Sequence, residues 1–344
     1  MKTVIIGPKS SGKSTLFSAL CKNATIHHEF SMGMIKVRDP RVDKLSEMFI
    51  PKKITYNETT VVDLNGDLFL SSTEGFSSKV IEYIKKSDAV IGVTNVYFDE
   101  PPERKKNIQS QLAGIESELI LTDLMMIEQR IKRVTKENPK SPDLPILERM
   151  HLHLNDEKAL RFFSLTESEQ KLLVQYNFVS MKPILYVVNR NETNLNDDEK
   201  QIMSTFAETT KSCVVDLCAK VEAELNELEK AEQQSFLEAL GLTRPASDVL
   251  IDTLYTLLGL ISFFTVGKDE VKSWQIERND KALKAASRIH SDIARGFICA
   301  EVISYDDFVQ CGSLVEAKKV GKLRLEGKEY IVKDGDIINF RFNV

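Results

Sequence analysis

Residues 3–15 read Thr3-Val4-Ile5-Ile6-Gly7-Pro8-Lys9-Ser10-Ser11-Gly12-Lys13-Ser14-Thr15. A short β-branched run breaks at a glycine and leads into G-x-x-x-x-G-K-[ST], the pattern of a strand, a phosphate-binding loop and a helix N-terminus. The glycines let successive backbone N–H groups converge on a phosphate, and the helix directs the positive end of its dipole at the same anion. We predict that Lys13 neutralises β- and γ-phosphate charge and that the Ser14 hydroxyl binds magnesium. The stretch, with residues 7–14 called the phosphate loop below, predicts a nucleotide-binding protein.

A second apolar strand ends in Asp63-Leu64-Asn65-Gly66, which matches D-x-x-G. In phosphate-sensing NTPases such an aspartate holds magnesium, often through water, and the glycine N–H contacts the γ-phosphate. Asp63 is therefore predicted as a metal ligand beside Ser14. Gly66 is predicted to act in catalysis together with Lys13.

The polar residues that would face a purine base follow two later strands. Residues 184–188 form an apolar run that leads into Asn189-Arg190-Asn191-Glu192, where a G-type NTPase carries N-K-x-D. Glu192 is one methylene longer than the aspartate that pairs with guanine, and Arg190 replaces the lysine, so guanine specificity is doubtful. The run at residues 213–217 leads into Cys218-Ala219-Lys220, whose backbone position commonly touches the base; without the other motifs, we would favour an ordinary strand-to-helix turn for this tripeptide.

The order of the apolar runs predicts the fold class. Strands at residues 3–6, 60–64, 89–93, 184–188 and 213–217 alternate with helical stretches, which favours an α/β fold with a mostly parallel sheet and a ligand beyond the strand carboxyl ends. Between the third and fourth strands, apolar residues recur at helical spacing from Leu112 to Val134 and again from Leu144 to Leu154, with a break at residues 139–142. This insertion predicts a helical hairpin. Strand-like runs at residues 296–303, 329–332 and 337–342, with a helix at 281–290, indicate a small terminal module.

Composition adds limits. The 344 residues carry a net charge of -5, which argues against nucleic-acid binding by the molecule as a whole and leaves room for a local patch. Five scattered cysteines without a C-x-x-C pair are expected to be reduced thiols. We find neither a signal peptide nor a membrane span in the sequence and expect a cytoplasmic protein.

Several further segments carry a family resemblance that covers essentially the whole chain. The sequence resembles the YchF or Obg-like ATPase family at residues 39–45, 176–178, 182–183, 263–265, 289–292, 296–298, 300–302, 327–337 and 340–344. The resemblance implies a P-loop NTPase domain at residues 1–105 and 183–272, an inserted α-helical coiled-coil domain at 106–182, and a TGS domain of β-grasp fold at 273–344. It also implies ATP in preference to GTP, a requirement for Mg²⁺, slow hydrolysis, and association with ribosomes or RNA through the helical and TGS domains in translation or stress control.

The chain departs from the family pattern around the phosphates. Ser10 replaces an asparagine that is associated with a potassium ion, which leaves potassium stimulation doubtful. The first switch is shortened, so Thr25 is only a weak substitute for its magnesium-binding threonine. Asp67 follows D-x-x-G where the family has an apolar residue, and a carboxylate there would repel a γ-phosphate. The interval from Asn95 to Ile108 lacks the histidine of the family's mobile loop.

These features leave three functions open. The first, which we prefer, is a slow ATPase that acts as a conformational switch on the ribosome. The second is a nucleotide-binding scaffold that no longer hydrolyses, favoured by the altered switch and Asp67. The third is a conventional GTPase, disfavoured by Arg190 and Glu192.

Overall fold

The structure, a computed structural model, describes residues 1–21, 24–27, 29–64, 76–100, 103–173 and 175–343. It divides into two units: the first unit is Met1–Ile35 with Thr59–Leu257, and the second unit is Lys36–Glu58 with Leu258–Val344. The described strands are β1 (Lys2–Ile6), β2 (Ala24–Ile26), β3 (Phe30–Val37), β4 (Lys53–Thr55), β5 (Asn57–Leu64), β6 (Ala89–Asn95), β7 (Ile184–Asn189), β8 (Cys213–Leu217), β9 (Leu260–Thr265), β10 (Glu270–Glu277), β11 (Phe297–Ser304), β12 (Arg324–Glu326) and β13 (Asp336–Phe342). The described α-helices are α1 (Lys13–Leu20), α2 (Pro40–Phe49), α3 (Ser78–Lys85), α4 (Glu103–Glu137), α5 (Leu144–Asn155), α6 (Glu167–Leu173), α7 (Asp197–Thr210), α8 (Ala219–Glu227), α9 (Lys230–Ala239), α10 (Ala246–Leu257), α11 (Ala282–Ile289), α12 (Ser291–Arg295), α13 (Tyr305–Cys311) and α14 (Leu314–Lys319).

The first unit contains a sheet in the order β2-β3-β5-β1-β6-β7-β8. Strand β1 pairs in parallel with β5 and β6, β6 pairs with β7, and β7 with β8, whereas β2 and β3 form an antiparallel hairpin. Strands β1, β6 and β7 are almost continuously buried, as expected for parallel strands covered by helices on both faces. The mostly parallel sheet predicted from the sequence is confirmed.

The register of these strands brings their carboxyl ends to one edge. Ile5 lies opposite Asp63, and Asn95 lies opposite Asn189, which in turn lies opposite Leu217. The phosphate loop leaves β1 at the same edge, directly after Ile6. Residues that are far apart in the sequence therefore meet where a parallel sheet binds its ligand.

The helical hairpin predicted between β6 and β7 is present. Helix α4 has 35 residues and is about 50 Å long at the usual rise per residue. Its first half packs on the sheet through Ile108, Leu112 and Ile115, and its second half packs with α5 through residues such as Ile120 and Ile127. A capping box begins α6, because Thr166 N–H donates to Glu169 Oε2 at 2.8 Å and Glu169 N–H donates to Thr166 Oγ1 at 3.3 Å. One helix thus joins two hydrophobic cores within the first unit.

In the second unit, a sheet in the order β12-β11-β13-β9-β10-β4 is covered on both faces. Successive residues of a strand point to opposite faces. Phe263 and Ile338 lie in the core beneath α11, whereas their neighbours Phe264 and Ile337 lie in a second core with Leu45 of α2. Residues 36–58, which come early in the chain, therefore complete this unit.

The later part of the second unit is Leu258–Val344, and β10 spans residues 270–277; the domain boundary predicted between residues 272 and 273 stays a prediction. One sequence expectation differs from the structure of this unit. The strand predicted at residues 329–332 is wrong, because only an isolated bridge joins Ile331 to Lys281, and β12 pairs with β11 in its place. The apolar pattern arises because Val332 anchors this loop in the core beneath α11. No helix among the described residues is long and apolar enough to cross a membrane.

Asp123 on α4 provides a test of how the hairpin is attached to the sheet. Its carboxylate is fully buried and accepts hydrogen bonds from Val179 N–H at 2.9 Å, Ser180 N–H at 2.7 Å and Ser180 Oγ at 2.6 Å. Asp123→Ala would leave two buried N–H groups without an acceptor, so we expect the free energy of unfolding to fall by about 3 kcal/mol or more. Urea denaturation measures this change.

The matched control is Glu137→Ala on the same helix, where an exposed carboxylate pairs with Arg133 at 3.0 Å. We expect this substitution to change the free energy of unfolding by about 0.5 kcal/mol or less. Equal effects of the two substitutions would show that the Asp123 contacts do not hold the hairpin in place.

Candidate nucleotide-binding site

The phosphate loop turns through backbone conformations that favour glycine. Gly7 has φ 147°, Ser10 has φ 62° and Gly12 has φ 88°. A Cβ atom at Gly7 would lie 2.2 Å from Val93 O, and one at Gly12 would lie 2.2 Å from Asn189 Nδ2. Gly7 is therefore required by the close approach of a backbone carbonyl as well as by its dihedral angle, whereas Gly12 is required chiefly by its dihedral angle.

The Lys13 side chain closes the loop from within. Its Nζ donates to Gly7 O at 2.9 Å and to Pro8 O at 2.6 Å, and the residue is only 5% exposed. Burial lowers the pKa of Lys13, and the carboxylate of Asp63 acts in the opposite direction. The ammonium group thus lies inside the loop that would surround a phosphate, where it is well placed to bind an anion.

Ser14 and Asp63, the two predicted magnesium ligands, lie together. Ser14 lies close enough to Asp63 to act on its carboxyl group, and Asp63 is only 4% exposed. Burial raises the pKa of Asp63, while the Ser14 hydrogen bond and the charge of Lys13 lower it. The Asp63 Oδ1 atom is buried and has no hydrogen-bond partner among the described residues.

This pair of oxygen ligands fits Mg²⁺. The described part of the chain contains no group of three or more His, Cys, Asp or Glu side chains that could hold a metal by themselves. Magnesium is usually held by one or two protein oxygens together with water and substrate phosphates. A hydroxyl and a carboxylate with a buried free oxygen, placed beside a phosphate loop, match that requirement.

Asn189 connects three strand ends. Its Nδ2 donates to Ser11 O at 3.2 Å, and its Oδ1 accepts from Ala219 N–H at 3.1 Å. The next residue continues the pattern, because Arg190 N–H donates to Leu217 O at 2.9 Å. The sequence pattern predicted Asn189 as a base contact, and the structure shows it joining the phosphate loop to the start of α8.

Arg190, Glu192 and Lys220 are the other residues predicted at the base. Arg190 does not have the position of the lysine in N-K-x-D, which lies along a purine ring. The Arg190 guanidinium donates to Asp216 Oδ2 at 2.6 Å and to Asn191 O at 2.9 Å, and the residue is buried. Glu192 is exposed and pairs with Lys220 at 3.4 Å. Arg190 is therefore committed to the edge strand β8, whereas Glu192 and Lys220 are accessible to a ligand.

Three of these residues, Arg190, Glu192 and Cys218, also line a cavity of about 210 Å³. The remaining wall is formed by residues of β8, α8 and α10 and by the segment that joins α9 to α10. The cavity thus borders the residues that are predicted to contact the base.

The remaining predicted residues vary in position. Lys9, Ser10 and Thr15 are exposed, whereas Ser11 is buried. Thr25 lies on β2 opposite Met32, and its side chain is exposed. Gly66, predicted to contact the γ-phosphate, and Asp67, expected to repel it, lie outside the described residues.

One residue at the carboxyl edge of the sheet was not predicted from the sequence. Asn95, the last residue of β6, donates from Nδ2 to Ser10 O at 2.9 Å and thus contacts the phosphate loop directly. A signal was available, because Asn95 follows a buried strand in the same way as Asn189 does. The family resemblance drew attention instead to the histidine missing from the segment after Asn95.

A strand, a phosphate loop and a helix, with a carboxylate on the neighbouring strand, define the class as a P-loop NTPase. Comparisons with known proteins identify the family. The chain is 37% identical to "Ribosome-binding ATPase YchF" of Bacillus subtilis, which covers 99% of this chain and 98% of that protein. Proteins of the same name from Haemophilus ducreyi and Escherichia coli O157:H7 are 37% and 34% identical, each covering 100% of this chain and 99% of the relative. The chain therefore belongs to the YchF family.

Two further comparisons agree with this assignment. A family model, YchF-GTPase_C, described as "Protein of unknown function (DUF933)", matches residues 260–343. The structure of the Schizosaccharomyces pombe YchF GTPase superposes with a TM-score of 0.84 at 24% identity, covering 99% of this chain and 97% of that one. This likeness confirms the fold class: a P-loop NTPase with a helical domain and a C-terminal domain.

The Asn189 contacts generate a prediction about the phosphate loop. Asn189→Ala removes the hydrogen bonds to Ser11 O and Ala219 N–H, worth about 1–3 kcal/mol together. If the loop must be held in place to bind phosphate, the dissociation constant for a triphosphate should rise about fivefold to a hundredfold. Isothermal titration calorimetry measures the change.

Asn191→Ala is the control for this prediction, since Asn191 stands two residues further along and its Oδ1 accepts only from Thr193 N–H at 2.9 Å among the described residues. An Asn189→Ala protein that binds triphosphate as tightly as the unaltered chain would show that the bridge does not support the loop.

Proposed function

We propose that this protein binds ATP with Mg²⁺ at the phosphate loop, hydrolyses it slowly, and acts as a ribosome-associated switch in the cytoplasm. The observation that carries the proposal is the phosphate loop closed around the Lys13 ammonium group, with the buried Asp63 carboxylate near Lys13 and Ser14 and its Oδ1 atom without a hydrogen-bond partner among the described residues. Cation, hydroxyl and carboxylate are the protein groups that phosphoryl transfer in P-loop NTPases requires.

In the proposed mechanism, the chain contributes position and charge. Lys13 neutralises the β- and γ-phosphates, and the backbone N–H groups of the phosphate loop bind phosphate oxygens. Ser14 and Asp63 would hold magnesium, which when bound would neutralise charge on the transferring phosphoryl group. Water attacks the γ-phosphorus in line, the bond to the β–γ bridging oxygen breaks, and ADP and inorganic phosphate leave; the role predicted for Gly66 is to give its backbone N–H to the γ-phosphate.

The preference for ATP rests on the residues at the base. The guanidinium group of Arg190 is paired with Asp216. It is therefore not available to lie along a guanine ring, as the lysine of N-K-x-D does. Glu192 is already paired with Lys220, although this exposed pair is weak and a base could displace it. GTP remains the alternative ligand, and we propose no potassium site, since Ser10 provides a shorter side chain than asparagine.

The proposed partner follows from the relatives, which carry the printed name "Ribosome-binding ATPase YchF". We propose that the helical insert at residues 106–182 and the terminal module at 273–344 contact the ribosome or its RNA, and that residues 1–105 and 183–272 bind nucleotide. A nucleotide-binding scaffold without turnover is the second candidate, favoured by the absence of histidine between Asn95 and Ile108.

The choice of nucleotide is tested by titrating the chain with non-hydrolysable ATP and GTP analogues in the presence of magnesium. We expect the ATP analogue to bind more tightly, and Lys13→Ala to weaken it at least about tenfold, since hydrogen bonds to charged groups contribute about 1.5–3 kcal/mol. Removal of magnesium with a chelator should weaken binding in the unaltered chain. Lys86→Ala, which alters an exposed lysine directly after α3, is the control. Tighter binding of the GTP analogue would overturn the assignment of ATP.

Turnover is tested separately, by single-turnover hydrolysis of labelled ATP with and without ribosomes. Slow hydrolysis that ribosomes accelerate and that Lys13→Ala and Ser14→Ala abolish is the expected result. Tight binding with no turnover under either condition would favour the scaffold. Rates unchanged by both substitutions would exclude this site as the source of the activity.

A further inference from the structure

Asn95 is held between the phosphate loop and helix α4. Its Nδ2 donates to Ser10 O at 2.9 Å, and its Oδ1 accepts from Tyr97 N–H at 2.9 Å. The two contacts determine the orientation of the amide, because a flipped amide would point its NH₂ at another N–H group. The side chain therefore has one specific task at the loop, which is to donate to the carbonyl of Ser10.

The residue that Asn95 contacts needs support. Ser10 has φ 62°, a left-handed conformation that is costly for a residue with a Cβ atom. Within the loop, Ser11 N–H donates to Pro8 O at a long 3.3 Å. A hydrogen bond to Ser10 O from a rigid strand end therefore stabilises the turn on which the direction of the following N–H groups depends.

The backbone of Asn95 is itself held by Gln111 of α4. Gln111 Oε1 accepts from Asn95 N–H at 2.8 Å, and Gln111 Nε2 donates to Asn95 O at 2.7 Å. Strand β1 ends at Ile6, which lies opposite Gly92, so β1 does not extend to these two backbone groups. The Gln111 amide takes the place of a neighbouring strand at this position.

Gln111 cannot move independently of its helix. Its neighbours Ile108, Leu112 and Ile115 are buried in the core beneath the sheet. The same helix continues into the hairpin core through Ile127. A displacement of α4 would thus change the hydrogen bonds between Gln111 and Asn95. A change in the phosphate loop at Ser10 would in turn act on α4 through the same two residues.

We propose that Asn95 is a positioning residue that holds the phosphate loop at Ser10 in the conformation that binds phosphate, and that Gln111 couples this hold to helix α4. The inference rests on the proposed function, because it assumes that the loop binds a nucleotide. Nucleotide occupancy and the state of the helical hairpin are then energetically linked, and the linkage acts in both directions.

The positioning role is tested with Asn95→Asp, which keeps the acceptor for Tyr97 N–H and replaces the donor to Ser10 O with an oxygen. We expect the dissociation constant for a non-hydrolysable ATP analogue to rise about tenfold. Gln111→Leu should raise it less. The double variant should bind about as weakly as Asn95→Asp alone, because Gln111 acts through Asn95.

Asn107→Ala is the matched control. Asn107 lies one turn before Gln111 on α4 and donates to Asp99 Oδ2 at 2.9 Å, so its loss disturbs the same region without touching the phosphate loop. We expect unchanged affinity. If Asn95→Asp does not fold, Asn95→Ala carries the same expectation. Tight binding by the unaltered chain and equally tight binding by the folded Asn95 variant would overturn the positioning role, whereas failure of the unaltered chain to bind would overturn the proposed function itself.

The coupling is tested by hydrogen exchange of the full chain with and without the ATP analogue at saturating concentration. We expect the analogue to slow exchange in the phosphate loop and also in α5, and Gln111→Leu to abolish the change in α5 while the loop remains protected. No change in α5 of the unaltered chain, or the same change in Gln111→Leu, would overturn the coupling.

Discussion

The close approach of the phosphate loop to the ends of β6 and β7 is the constraint on which the site depends. Gly7 lies against the backbone carbonyl of Val93, so any side chain there would separate the loop from the sheet; a side chain at Gly12 would displace the amide of Asn189 that binds the loop. Asn95 and Asn189 then fasten the loop at Ser10 and Ser11 by hydrogen bonds to backbone carbonyls. The loop is thereby preorganised for an anion before any ligand arrives, which reduces the entropy cost of binding.

The long helix α4 contacts this edge of the sheet through Gln111 and is held by further contacts along its length. Three buried polar contacts fasten it: Arg104 to Glu199 at 2.7 Å, Glu116 to the hydroxyl of Tyr186, and Asp123 to the backbone after residue 178. Buried charges of this kind contribute little net stability compared with apolar contacts. We attribute to them instead a single register for the helix, which keeps Gln111 opposite Asn95.

The features that could be predicted from the sequence are those that a short motif or a local apolar periodicity determines. The strand before Gly7, the parallel sheet and the helical hairpin follow from short apolar periodicities, and the structure confirms them. The contact between Ser14 and Asp63 could be anticipated because each lies in a motif with a known role. Segments 24–37 and 36–58 were not predicted. The β2–β3 hairpin pairs residues close in sequence, but β2 has only three residues and so shows no periodicity. The packing of α2 in the second unit depends on contacts between distant parts of the chain. The strand predicted at residues 329–332 was wrong because an apolar run that anchors a loop has the same composition as a strand. Asn95 was missed because a lone polar residue at a strand end carries no motif.

The central claim is that Lys13, Ser14 and Asp63 form the phosphate and magnesium site of an ATP-binding protein. A crystal structure with a non-hydrolysable ATP analogue and magnesium tests it most directly. The account predicts the triphosphate within residues 7–14, the metal in contact with Ser14 and near Asp63, and the adenine beside Glu192 and Lys220. A triphosphate bound elsewhere, or a metal held away from both Ser14 and Asp63, would contradict it.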